Sequence, residues 1–394
     1  MPADTARHDA PSPAAAPAFH KIAPIGVDQR ADLRSRVRTI ARTRPVARAQ
    51  ALAYLVFERR DLALQERFLC DFGLRTAEKS EAAVFLRGSG PDAYCVEVRQ
   101  GSRDCFVGFG LELSDADEFE KLRLKSGSPA IELILAPGGG KRFRLIDPAG
   151  FRVDVVIGRA DHGQALPPRP STPVNAPGAH RRVNGENRHP AAPSAVHRLG
   201  HLVLQVRDFP AVLAFYMDLF GFIPTDVQFL DDGEPNLSFN RLDRGAEPTD
   251  HHSLVIAGGV TDAFEHCAFE VADLDDVGQG QQFLKMKGWR HAWGIGRHWL
   301  GSQIFDYWRD PAGDHFEHYA DGDVYDARAP TRYSPLARST LYQWGADLPP
   351  AFGGGPTPSL MIALLRGLMS GALSKDHIGM VMRAMKKPAR PWLT

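Results

Sequence analysis

The chain contains two blocks of sequence that repeat each other, residues 45–158 and 198–328. In each block an apolar, strand-like run ends at an aspartate, and apolar residues with helical spacing follow it. An aspartate in that position is well suited to accept hydrogen bonds from the first turn of a helix. The pattern occurs twice in each block, after Asp61, Asp115, Asp208 and Asp273. Such a chain is expected to fold as four units, each made of a strand, a helix and further strands.

Turn residues mark the ends of these units. The first helix of each block is predicted to stop at a glycine, Gly73 or Gly221. Both blocks close with Asp-Pro-Ala-Gly, at residues 147–150 and 310–313, which predicts a tight turn into a last strand. The sequence therefore predicts an α+β protein of two domains, with two strand–helix–strands units in each domain.

Shifts in composition outline the other segments. Residues 1–28 form a lead-in that begins rich in alanine and proline, for which disorder is expected. The proline-rich stretch 159–197 is interpreted as a linker between an N-terminal domain at 29–158 and a C-terminal domain at 198–328. The tail, 329–394, contains apolar residues at helical spacing. It is expected to form helices that dock on the C-terminal domain or at a subunit interface, the alternative being an appended partner-binding element.

Residues 29–48 include seven arginines. Leu33, Val37 and Ile40 recur among them at helical spacing, which predicts an amphipathic helix packed on its own domain, with a nucleic-acid-binding arm as the alternative. The formal net charge of the whole chain is zero, so it has no general attraction to nucleic acid or to an anionic membrane. Neither is expected as a partner.

Cysteine usage and hydropathy point to one compartment. The four cysteines form no CxxC pair and no regular framework, as in proteins with reduced thiols. The N-terminus lacks the apolar region of a secretion signal, and no apolar stretch is long enough to span a bilayer. A cytoplasmic protein is expected.

Three titratable residues, His201, His266 and Glu317, each lie in a strand-like apolar run of the second block. Burying such a group is costly unless something pairs with it. Two imidazoles and one carboxylate can converge on a divalent metal and leave open positions, as in non-haem Fe(II) oxygenases. Taken singly, a buried histidine is more often a hydrogen-bonded core residue than a metal ligand.

The first block provides an internal comparison for this triad. At the matching places it carries Tyr54, Gly108 and Asp154. A triad needed only for folding would be expected in both copies. We therefore predict a metal site in the second block and a structural role for the first.

Beyond the triad, the sequence contains Gly296-Arg297-His298, then Tyr307, then Asp310-Pro311-Ala312-Gly313 ahead of Glu317. This arrangement resembles the signature of the extradiol ring-cleaving dioxygenases in the vicinal oxygen chelate superfamily. The resemblance extends over roughly residues 45–328 and departs at Asp306, where an apolar residue is usual. It implies that each domain consists of two βαβββ modules closing into a half-open barrel, with the metal inside the C-terminal one.

The resemblance also implies roles for individual residues. His201, His266 and Glu317 match the metal ligands, and Fe(II) is the expected metal, with Mn(II) accepted by the same ligand set. The site would accept a catechol-type substrate and O2 and release a ring-opened product of the muconic-semialdehyde type. A homo-oligomer is expected. By the same resemblance, His298 and Tyr307 match the residues that contact the substrate's hydroxyl groups. His252 matches the acid/base histidine, with His251 as the open alternative.

Two rival functions share this fold family. A metal-dependent isomerase or lyase of the glyoxalase type would be expected to bring a fourth protein ligand. A small-molecule-binding protein of the resistance type has no need of His252, His298 and Tyr307 together.

Nearby aromatic residues either line a pocket for an apolar ring or pack in the core: Trp289, Trp293, Trp299, Phe305 and Trp308.

Overall fold

The computed structural model describes residues 37–162, 173–189, 191–349, 352, 358–369 and 374–386. The lead-in at 1–28 lies outside the described residues. The six α-helices in the described part of the chain are α1 Leu62–Phe72, α2 Ala116–Lys125, α3 Phe209–Phe220, α4 Leu274–Met286, α5 Pro358–Met369 and α6 Lys375–Lys386. None of them is long and apolar enough to cross a membrane.

Two large mixed sheets carry the fold, one per sequence block. The strands of the first block are β1 Ala51–Arg59, β2 Arg75–Lys79, β3 Ala83–Arg87, β4 Val96–Gln100, β5 Cys105–Leu113, β6 Glu132–Leu133, β7 Lys141–Ile146 and β8 Arg152–Ile157. Those of the second block are β9 Arg198–Val206, β10 Ile223–Phe229, β11 Pro235–Arg241, β12 Thr249–Asp250, β13 Leu254–Gly258, β14 Ala263–Glu270, β15 Arg290–Arg297, β16 Ile304–Arg309, β17 His315–Ala320 and β18 Val324–Tyr325. The tail adds β19 Arg332–Pro335 and β20 Trp344–Gly345.

Strand order shows how the modules join. The first sheet runs β2-β3-β4-β1-β5-β8-β7-β6, and the second runs β19-β10-β11-β13-β9-β14-β17-β16-β15-β20. In each sheet two βαβββ modules meet at one antiparallel pair, β1 with β5 or β9 with β14. The predicted fold class of paired βαβββ modules with an added helical tail is confirmed. The tail strands were not predicted, and they extend both edges of the second sheet.

Local capping chemistry explains where the helices of the modules begin. Each of the four predicted aspartates accepts a hydrogen bond from backbone N–H groups in the first turn of its helix. The first helix of each block ends at a glycine in the left-handed conformation, Gly73 with φ 118° and Gly221 with φ 74°. The predicted helix boundaries are therefore correct.

One buried apolar core runs through both blocks. The two Asp-Pro-Ala-Gly turns are each bound by a side chain of the other block. Asp147 accepts a hydrogen bond from the Tyr216 hydroxyl at 2.7 Å, and Asp310 pairs with Arg59 at 2.8 Å. His318 donates from Nε2 to the Phe72 carbonyl at the end of α1 at 2.6 Å. The first block thus braces the strand that carries Glu317.

The predicted arginine-rich helix is wrong for the described residues 37–48, which contain no helix. Their backbone N–H groups bond elsewhere, Arg38 to the Gly233 carbonyl at 3.1 Å and Val46 to the Asp218 carbonyl at 2.8 Å. Pro45 further disfavours helical geometry at the residue before it. The described segment therefore bonds mainly to the second block, and only Arg48 also bonds to its own domain, at Glu118. Residues 29–36 lie outside the described part.

Candidate metal centre and active site

The register of three neighbouring strands brings the predicted triad together. β14 lies between β9 and β17, and its Ala268 is opposite both His201 and Glu317. His266 precedes Ala268 by two residues and so faces the same side of the sheet. The small side chain of Ala268 leaves room for the larger groups around it. Two imidazoles and one carboxylate therefore converge on one face of the sheet.

The potential ligand atoms form a nearly equilateral triangle. The two Nε2 atoms of His201 and His266 lie 3.3 Å apart. The Oε2 atom of Glu317 lies 3.2 Å from Nε2 of His201 and 3.3 Å from Nε2 of His266. The exposed fractions of His201, His266 and Glu317 are 2%, 9% and 0%. These three residues make up a group that can hold a metal ion.

The bonding state of Glu317 fits a divalent cation. Among the described residues, neither of its carboxylate oxygens has a hydrogen-bond partner. Burial alone would raise the pKa of Glu317, but the facing imidazoles of His201, His266 and His298 hold that pKa well below its usual range. A buried, ionised carboxylate without hydrogen bonds is expensive. Coordination of a cation by the two histidines and Glu317 would remove that cost.

A further carboxylate, Glu265, was missed by sequence reasoning. It accepts a hydrogen bond from Nδ1 of His266, and its other oxygen lies 3.8 Å from Nδ1 of His315. Burial would raise the pKa of Glu265, but the two histidines hold it well below the usual range. A carboxylate on the outer nitrogen of a ligating histidine fixes the ring and its tautomer. Glu265 therefore aims Nε2 of His266 at the triad.

A β-bulge explains why Glu265 escaped prediction. Adjacent strand residues normally point to opposite faces, which would turn Glu265 away from His266. The pairing of β14 with β9 shifts register between Phe264 and His266, so both Glu265 and His266 reach the same cavity. The only sequence signal was the acidic residue directly before the histidine.

His298 and Tyr307 lie beside the triad. The Nδ1 atom of His298 is 2.7 Å from the Leu341 carbonyl, which can only accept. The other ring nitrogen of His298, Nε2, lies within hydrogen-bond distance of the Tyr307 hydroxyl, at 3.0 Å. The same Nε2 is 3.4 Å from Glu317. Burial, with the charge of Glu317, raises the pKa of Tyr307 well above its usual value, so the phenol is neutral.

The structure separates the two adjacent histidines that remained alternatives. The ring of His252 lies 4.2 Å from that of His201 and lines the cavity. His251 is fully buried behind it and is not part of the cavity wall. Burial, followed by the charges of His201 and His251, lowers the pKa of His252 well below its usual value. His252 is thus the histidine placed to meet a bound molecule.

The departure at Asp306 lies on the other face of the sheet from Tyr307. Asp306 is fully buried and accepts hydrogen bonds from Nε2 of His291 at 2.7 Å, from Gln281 at 3.0 Å and from Trp308 at 2.6 Å. Gln281 belongs to α4. The carboxylate therefore ties the sheet to α4 and leaves the triad unchanged.

The cavity over the triad has a volume of about 520 Å³. Of the five predicted aromatic residues, Trp293 lines it, whereas Trp289 packs against Phe68 and Trp299 is 49% exposed. Phe305 and Trp308 are buried in the core. The tail provides much of the cavity wall, with Leu336, Arg338, Thr340, Leu341, Leu348, Pro349, Phe352, Val381 and Met385.

The first block has a different arrangement at the equivalent positions. Gly110 is opposite both Tyr54 and Asp154. It therefore occupies the place that Ala268 has between His201 and Glu317 in the second sheet. The Tyr54 hydroxyl donates to Asp154 at 2.9 Å, and Arg142 lies 3.2 Å from the same carboxylate. A guanidinium here neutralises the buried acid.

Comparison with known proteins agrees with this geometry. Residues 198–317 match the family described as Glyoxalase/Bleomycin resistance protein/Dioxygenase superfamily. Metapyrocatechase 2 of Cupriavidus necator is 30% identical over 332 residues, which are 82% of this chain and 97% of that protein. The chain belongs to the extradiol dioxygenases of the vicinal oxygen chelate superfamily. The predicted family and the predicted class, a ring-cleaving oxidoreductase, are confirmed.

Two further comparisons bear on metal and fold. The iron-dependent extradiol dioxygenase of Rhodococcus jostii (strain RHA1) is 26% identical over 299 residues, 69% of this chain and 89% of that protein. The structure of the Mn(II)-bound glyoxalase from Novosphingobium aromaticivorans has a TM-score of 0.65, with 20% sequence identity over 79% of this chain and 96% of that chain. The second likeness concerns the fold alone, which hosts more than one chemistry.

Proposed function

We propose that this extradiol dioxygenase uses Fe(II) held by His201, His266 and Glu317 to open a catechol ring with O2. The product would be a compound of the muconic-semialdehyde type. The observation that carries the proposal is the triangle of ligand atoms, with edges of 3.2 and 3.3 Å, beside a cavity that His252 and Tyr307 also line. Such a set serves acid–base chemistry on a metal-bound diol better than simple binding.

The ligand set matches what the metal has to do. Two neutral imidazoles and one carboxylate leave a divalent ion with a single residual positive charge, which favours a catecholate. Bound Fe(II) would hold catechol and O2 side by side and remove the spin barrier to their reaction. Iron is favoured over manganese because a related dioxygenase is named as iron-dependent.

The protein side chains supply proton transfer and orientation. His252, with its low pKa, is neutral and ready to take a proton from a catechol hydroxyl and to return it later. Tyr307, neutral in its buried position, donates a hydrogen bond to a substrate oxygen. His298, whose Nδ1 is fixed by the Leu341 carbonyl, holds Tyr307 in place and contacts the second oxygen.

The cavity indicates the kind of catechol. A cavity of roughly 150 Å³ already holds benzene, and this one is about 520 Å³. The cavity wall is mainly apolar and includes Leu237, Leu300, Leu348 and Phe352. We therefore expect a catechol with a bulky apolar substituent rather than catechol itself.

The proposal also covers the role of the first block, the cellular compartment and the oligomeric state. The first block serves as a structural partner, since Arg142 neutralises Asp154 there. The reaction takes place in the cytoplasm, in keeping with four free cysteines. The working form is a homo-oligomer, as is usual in this family.

The test is anaerobic reconstitution of the full-length protein with Fe(II), followed by a panel of catechols in air. Oxygen uptake and yellow product are recorded together, with catechol and its alkyl- and aryl-substituted forms compared. We expect one O2 consumed per product and a preference for bulky substituents, and we expect His266→Ala to lose both iron and activity. Tight iron binding without oxygen uptake on any catechol would favour an isomerase or a binding protein. Failure to retain metal would refute the site.

A further inference from the structure

A buried chain of polar side chains leads away from the cavity behind His252. It passes from His252 to His251, then to Asp226 on β10 and to Arg332 on the tail strand β19. The exposed fractions of His252, His251 and Asp226 are 4%, 0% and 3%. Buried polar groups are costly unless each finds a hydrogen-bond partner. Each donor in this chain must therefore face an acceptor, which gives the direction of each hydrogen bond.

We propose that His251, anchored by Asp226, is a positioning residue that fixes the ring orientation and tautomer of His252 for ring cleavage. This inference rests on the proposed function, because it assigns a partner to the acid/base histidine of that reaction. The two side chains to which it assigns a role, His251 and Asp226, lie behind His252 and outside the triad.

The carboxylate sets the tautomer of His251. Nε2 of His251 lies 2.6 Å from Oδ2 of Asp226, and a carboxylate can only accept, so Nε2 carries the hydrogen. In neutral His251 the other nitrogen, Nδ1, is then a bare acceptor. It lies 2.9 Å from Nδ1 of His252, which must donate to it. His252 is left with a bare Nε2, the form that a general base needs.

The tail stabilises the charge at the far end of this chain. Asp226 is opposite Arg332 in the parallel pairing of β10 with β19, and Nε of Arg332 donates to Oδ1 of Asp226 at 3.1 Å. A buried carboxylate is costly unless it is paired. Arg332 supplies that partner, while Oδ2 of Asp226 accepts from His251. The tail therefore reaches the acid/base histidine through this chain of hydrogen bonds.

The backbone around His251 is held as firmly as its ring. Its N–H donates to the Asp323 carbonyl at 2.8 Å, next to the two-residue pairing of β12 with β18. The rings of Tyr325 and Phe239 lie 5.8 and 5.7 Å away. A ring fixed from both sides can orient its neighbour without moving itself.

The test compares two replacements of His251 in the iron-loaded enzyme. His251→Leu removes the acceptor, whereas His251→Asn places an amide oxygen close to the former Nδ1. We expect kcat to fall about tenfold or more in His251→Leu, part of the ~10²–10⁴ that general acid–base catalysis supplies. His251→Asn should recover most of that loss. Iron content and the anaerobic Kd for the catechol should stay near wild type in both variants.

His291→Leu is the matched control. His291 is likewise bonded to a buried carboxylate, Asp306 at 2.7 Å, but it does not line the cavity. Its kcat should match that of the wild type. Equal kcat values in His251→Leu and His251→Asn would overturn the proposal, because packing alone would then explain His251.

A second readout works even if no catechol is turned over. The ¹⁵N shifts of the imidazoles in the metal-free, full-length protein distinguish the two neutral tautomers. His252 should carry its hydrogen on Nδ1 in the wild type and in His251→Asn, and should change state in His251→Leu. An unchanged His252 tautomer would refute the positioning role, whereas an inactive wild type with the expected tautomer would refute only the proposed reaction.

Discussion

At the scale of single residues, Glu265 decides where a proposed ligand points. Its carboxylate accepts from Nδ1 of His266, which directs Nε2 toward Glu317 and His201. Glu265→Gln keeps the shape but loses the charge, so it should weaken iron binding about 10- to 100-fold, the usual effect of an outer partner of a ligating histidine. Competition with a chromogenic chelator measures that affinity.

The control for this change lies on the same strand. Glu270 is bonded to Arg198 at 2.6 Å and does not line the cavity, so Glu270→Gln should leave iron affinity unchanged. If both variants bind iron as the wild type does, His266 is held by its backbone alone and Glu265 has no orienting role.

At the scale of elements, predictions from the sequence succeeded where the signal is local. Capping aspartates and terminal glycines specify helix ends within a few residues, so the starts of the four module helices and the ends of α1 and α3 were predictable. Non-local partners specify the rest. The two-residue strands β12 and β18 exist only as a pair, and the helix expected at residues 29–48 gave way, over its described part, to bonds with the second block.

The candidate site divides in the same way. The triad was predictable because three titratable residues in apolar runs are costly to bury unless a common partner, such as a metal ion, binds them. Glu265 was not, since its direction depends on a bulge set by pairing with β9. The bond between Asp226 and His251 joins residues 25 positions apart, and no spacing rule connects them.

The turn between β16 and β17 provides a prediction at this scale. Arg59 is 2% exposed and pairs with Asp310, whose carboxyl is buried in that turn. Arg59→Met should leave this buried carboxylate without its charged partner and lower the free energy of unfolding by about 3–5 kcal/mol. The neighbouring Arg60 is 70% exposed in its pair with Asp104, so Arg60→Met should cost roughly 0–1 kcal/mol. Urea denaturation compares them, and equal midpoints would contradict the bracing role of Arg59.

At the scale of the whole molecule, the tail completes the cavity. α6 packs on Leu230 and Leu336 through Ala384, Met380 and Val381. Val381 and Met385 also line the cavity, which is about 520 Å³ in volume. The expected tail helix therefore docks on the second block, and the docked helix forms part of the substrate wall.

This placement predicts that the tail sets the size of the accepted catechol. Val381→Phe should narrow the outer cavity and lower kcat/KM for bulky substituted catechols about tenfold or more, because overpacking costs about 1–3 kcal/mol. Catechol itself, bound next to the triad, should be cleaved as in the wild type. Met382 is 54% exposed on the outer face of the same helix, so Met382→Phe should change neither value. An equal loss for both substrates in Val381→Phe would mean that α6 stabilises the fold without selecting the substrate.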